Sequence, residues 1–159
     1  MEINGLPVHP LIVHLAVVFV PLAAIVGAVY AVVPRWRWST RWPMVISSVV
    51  ATASVGYSWL SGRNYRDELV AGGASELRFQ DHAEHADVLF WVTVTFLACA
   101  LLAAWALGGP SALASGRGAR GKHAPVIEWT TVVMVVILAV LMVAMTITTG
   151  EAGARLVHG

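Results

Sequence analysis

Charge is scarce in this sequence: only 12% of its 159 residues are Asp, Glu, Lys or Arg, while 58% are hydrophobic. A soluble domain carries about twice that share of charge, so a bilayer is the expected solvent. A basic stripe is lacking as well. With a net charge of +1 and no run of Lys and Arg along one face, nucleic acid is not an expected partner. Cysteine is almost absent. Cys99 stands alone inside an apolar segment, which rules out a disulfide framework and suggests a packed, inert thiol. The N-terminus lacks the basic cluster and small-residue cleavage site of a secretory leader, so the chain is expected to be mature from Met1 onward. No nucleophile stands with a base, and no phosphate loop or tight zinc spacing occurs, which leaves hydrolase and nucleotide chemistry without support.

What the sequence does have is four long apolar runs. They predict one all-α domain over residues 1–159, a four-helix integral membrane bundle with spans at about 10–33, 44–61, 86–107 and 126–149. Pro10 suits a first helical turn, where its missing N–H would have no partner anyway. Pro21 falls in mid-span and frees the carbonyl of Val17. Between the first two spans, Arg35, Arg37 and Arg41 alternate with Trp36, Trp38 and Trp42, the composition of a headgroup-level loop. Ser48, Thr52 and Gly56, spaced four apart, predict a stripe for close helix packing. Residues 62 to about 81 read as a polar connector, and Gly108-Gly109-Pro110 stops the third span.

Counting basic residues orients the bundle. The 34–43 and 108–125 loops hold six Lys or Arg and no acid, whereas the opposite side holds four basic residues and eight of the nine acids, Glu128 being the exception. The basic loops are therefore expected in the cytoplasm and both termini outside. That places five of the six histidines, His9, His14, His82, His85 and His158, at one outer face. His123 belongs to the opposite loop and reads as solvated.

An ionisable side chain inside a span is costly enough that function is its default reading. His14, a turn inside the first span, and His85, a turn inside the third, are expected at similar depth. Facing imidazoles can hold a haem iron from both sides in a helical bundle. His9 and His82 are the alternates. The same end, with His14, His82 and His85 beside Asp81 and Glu84, also suits copper or zinc, and a histidine cluster can relay protons. The plainer alternative is that each interfacial histidine bonds to headgroups, water or a helix end. Glu128 reads as a helix-start carboxylate. Met134, Met142 and Met145 read as filler, with Met145 near enough to the outer face to serve as a soft ligand.

Gly5-x-Pro7-x-His9-Pro10-x-x-Val13-His14 at one end, and Thr149-Gly150 with Gly153-x-x-Leu156-Val157 at the other, flank the four spans. In these motifs the chain resembles the bacterial membrane family labelled domain of unknown function 2231, over nearly its whole length. It departs from the family at Leu15-Ala16, where a Phe-Pro pair commonly follows the second histidine. The resemblance implies a bacterial inner-membrane protein with a redox or haem link. Haem b binding through His14 and His85, with electrons passed to a quinone or a larger respiratory complex, is the leading expectation. A metal-handling module and a non-catalytic accessory subunit are the alternatives. No catalytic motif marks the chain as an enzyme by itself.

Overall fold

The computed structural model describes residues 2–3, 6–73, 75–107 and 124–158. A minimal hairpin comes first, β1 (Glu2–Ile3) against β2 (Leu6–Pro7), antiparallel with Ile3 opposite Leu6. Helix α1 (Val8–Val32) follows, then a single 3-10 turn at Pro34–Trp36 and α2 (Arg37–Ala71), α3 (Leu77–Ala106) and α4 (Ala124–His158). Each of the four is long and apolar enough to cross a membrane. Consecutive helices pack side by side and α4 closes back on α1, which leaves α1 and α3 facing across the diagonal.

The helices outrun the apolar runs. α2 and α4 have 35 residues each, about 52 Å at 1.5 Å per residue, against a hydrocarbon layer of about 30 Å. The polar connector expected over 62–81 is therefore mostly helix, and so is most of the arginine–tryptophan loop. Loss of hydropathy ends a membrane span but not a helix: Arg63 to Val70 contain no breaker, and α2 stops only at Gly72 and Gly73. Gly73 takes φ +96, a left-handed conformation that glycine adopts without strain. Likewise α4 continues through Gly150 and Gly153 to His158.

Small residues bring the helices close. Ala16, Ala23, Ala24 and Ala31 of α1 and Ala100, Ala103 and Ala104 of α3 are buried around Tyr30, Phe96, Met44 and Met142, which are fully enclosed. A Cβ on Gly27 would stand 2.6 Å from Cζ of Phe96. Glycine at 27 is thus what lets the Phe96 ring fill the bundle centre. The expected Ser48–Thr52–Gly56 stripe does pack the bundle: Thr52 Oγ1 donates to the Thr93 carbonyl at 3.2 Å, and Gly56 lies under Phe90. Of the methionines, Met142 fills the core, Met145 packs against it and Met134 is exposed. Cys99 is half-buried at the edge of the core. Outward-facing Val18, Ile25, Trp91, Leu102, Trp105 and Val140 leave an apolar exterior, as lipid requires.

Candidate functional site

Two polar ends flank this apolar bundle. At the first, the start of α3 carries Asp81, His82, Glu84, His85 and Asp87 beside the end of α4. His82 falls in heptad register with Leu89, Phe96 and Ala103, the buried stripe of α3, so it is the histidine turned inward. Its ring lies against α4: a Cβ on Gly153 would stand 3.2 Å from its Cε1 and 3.5 Å from its Nδ1. Nδ1 itself is buried and makes no well-formed hydrogen bond among the described residues, with the Thr149 backbone close enough to interact with the ring.

His82 has company in that respect. The hydroxyls of Thr149, one turn before Gly153, and of Ser58 on α2 are also buried without a partner among the described residues. Several hydroxyls elsewhere in the spans donate back along their own helix: Ser48 to the Met44 carbonyl at 2.6 Å, Thr95 to Trp91 at 2.8 Å, Thr131 to Ile127 at 2.7 Å and Thr146 to Met142 at 2.7 Å. Three buried polar groups from α2, α3 and α4 at one end of the bundle therefore stand out, because each such group left unmade costs about 1–3 kcal/mol. Bound water or a ligand is the usual remedy.

The other expected ligands are arranged differently. His85 is half-buried, and its Nδ1 is 2.6 Å from the Asp81 carbonyl one turn back, which leaves Nε2 as its outward nitrogen. His14 is exposed, in line with exposed Val18 and Ile25, and α1 and α3 are diagonal partners. On α1 the buried register belongs to Ala16, Ala23 and Tyr30, and His9 stands seven residues before Ala16. The side chains of His9 and His158, and all of His123, lie outside the described residues.

The carboxylates are turned to local tasks. Glu84 accepts from Gln80 at 3.3 Å, Asp81 is exposed, and Asp87 accepts from Nε1 of Trp59. Trp59 in turn stacks on Phe90, with centroids 5.0 Å apart, and Arg63 covers its ring at 4.5 Å. Among the described residues no three His, Cys, Asp or Glu side chains gather to hold a metal ion. The set His14, His82, His85, Asp81 and Glu84 is not assembled as a coordination shell.

The second polar end was not foreseen as a structural centre. Arg37, expected at headgroup level, has a side chain only 8% exposed and donates from NH1 to Glu128 Oε1 at 2.8 Å. Its Nε and NH2 donate to the carbonyls of Tyr30 and Ala31 at 3.3 and 3.2 Å, capping the end of α1. Tyr30 Oη donates to the Ala103 carbonyl at 3.0 Å, so α1, α2, α3 and α4 are tied at one level. The available signal was Glu128 itself, the lone acid on a side with six basic residues. Compared with known protein families, with characterised proteins and with solved structures, the chain finds no match.

Proposed function

We propose that this chain is a multi-pass protein of the bacterial cell membrane, both termini outside, whose histidine end binds haem b. It serves electron transfer or acts as a redox subunit in a larger membrane complex, with a quinone or a protein as electron partner. The observation that carries this is a trio of buried polar groups without a well-formed hydrogen bond among the described residues, His82 Nδ1, Thr149 Oγ1 and Ser58 Oγ, at the end that carries the α3 histidines. Bundles commonly build cofactor sites from side chains on facing helices. In this reading His82 supplies the α3 imidazole, with His85 as the α3 alternate, and His9 is the α1 candidate. Haem supplies a one-electron iron centre when bound. The protein's share is to hold an imidazole in a fixed orientation against Gly153, to offer hydroxyls at the rim and to keep water out of an apolar interior.

The orientation is supported by six basic residues in the two loops at the arginine end against four on the opposite side, and the redox link by the family resemblance. The test is a visible spectrum of protein purified from haem-replete cells. A sharp Soret band that is lost in His82→Ala and kept in His85→Ala is the expected result, whereas a colourless preparation overturns the proposal. The metal-handling reading has less behind it, since the described residues gather no coordination shell.

A second reading, a non-catalytic accessory subunit, is favoured by the exposed tryptophans Trp36, Trp38, Trp42 and Trp129 at the arginine end, which are 50–70% accessible. A stoichiometric co-purifying partner, with unchanged function in all histidine variants, would select it.

A further inference from the structure

Charge at the arginine end does not balance within the chain. Its one acid, Glu128, is committed to Arg37, which also donates to the carbonyls of Tyr30 and Ala31. Arg41 lies one turn further along α2, on the same side of the helix. Among the described residues it forms no ion pair, and its buried Nε has no hydrogen-bond partner. The guanidinium sits 5.6 Å from the centroid of Trp42. Arg35 is placed alike over Trp36, also at 5.6 Å, but is exposed, without a buried orphan donor. By sequence Arg117, Arg120 and Lys122 add positive charge to the same side and bring no acid.

A half-buried guanidinium with a donor unmet among the described residues is well suited to receive an anion. The aromatic belt says where that anion comes from. Exposed Trp36, Trp38, Trp42 and Trp129 mark the boundary between headgroups and hydrocarbon, so Arg41 stands at the depth of lipid phosphates. Guanidinium offers a planar fork of donors that matches phosphate oxygens.

We propose that Arg41, flanked by Trp42, is a binding site for the phosphate of an anionic phospholipid. The chain would thereby retain one such lipid beside its Arg37–Glu128 lock. This site is independent of whatever the histidine end binds.

The test is native mass spectrometry of the purified protein titrated with phosphatidylglycerol or phosphatidylcholine. We expect one phosphatidylglycerol bound in preference to phosphatidylcholine, with affinity falling about fivefold in Arg41→Gln, the effect of one basic residue at a membrane surface. Arg41→Lys should recover part of it, and Arg35→Gln should leave that one site unchanged. Equal binding by the wild type and Arg41→Gln overturns the proposal. So does displacement of the lipid by inorganic phosphate at matched ionic strength, which would make this a soluble-anion site. If Arg41→Gln fails to fold, the Arg41→Lys affinity and the phosphate competition decide, because both leave the charge in place.

Discussion

Arg37 holds together backbone ends that would otherwise stand open near the membrane. It reaches two last-turn carbonyls of α1 and a carboxylate on α4 from the first residue of α2. Replacing it with Met strands those carbonyls, at about 1–3 kcal/mol for each group left unmet. Glu128→Gln should cost less, within about 1 kcal/mol, since its side chain is 45% exposed and water replaces the lost partner. Thermal unfolding in detergent is expected to rank Arg37→Met well below Glu128→Gln, and the reverse order would contradict the lock. His82 differs in kind from Arg37, because its buried nitrogen makes no well-formed hydrogen bond among the described residues. His82→Ala is expected to abolish a Soret band with little loss of stability, which separates a ligand from a packing residue.

At the scale of helices, two close approaches govern the bundle. Gly27 meets Phe96 across the diagonal between α1 and α3, and Gly153 meets His82 between α4 and α3. Phe96 is fully enclosed, so its ring has nowhere to go. Gly27→Ala should destabilise by about 1–3 kcal/mol through overpacking. Phe96→Leu in the same chain should recover part of that loss, and a double-mutant cycle on unfolding temperatures or denaturant midpoints measures the coupling. The Gly153 contact is looser, so Gly153→Ala is expected to be mild. Gly153→Leu should push the His82 ring aside, and a weakened or shifted Soret band at near-normal stability checks this. An unchanged spectrum in Gly153→Leu would count against His82 as a ligand.

For the molecule as a whole, the prediction concerns sidedness. In a Cys99→Ser background, Ser111→Cys should react with a membrane-impermeant maleimide only in inverted vesicles, and Glu2→Cys only in intact spheroplasts. The opposite pattern would reverse the orientation and move the histidine end to the cytoplasm. The four spans were readable from sequence, because hydropathy is a local sum that needs no knowledge of packing. The helix ends were less readable. The stretch 62–71 looked like a connector because its charge ended the apolar run, yet its residues favour helix until Gly72 and Gly73 intervene.

The sequence by itself determined the solvent, the number of spans and which residues share an end. Hydropathy, chain length and charge counts depend only on neighbours along the chain. The tertiary structure decided which side chains face inward. In a helix that is apolar all round, periodicity cannot separate the lipid side from the protein side. His82 therefore emerged over His14 and His85 only once α4 and Gly153 were seen against α3. Arg37 and Glu128, 91 residues apart, became a pair for the same reason: no local pattern records which helices lie side by side.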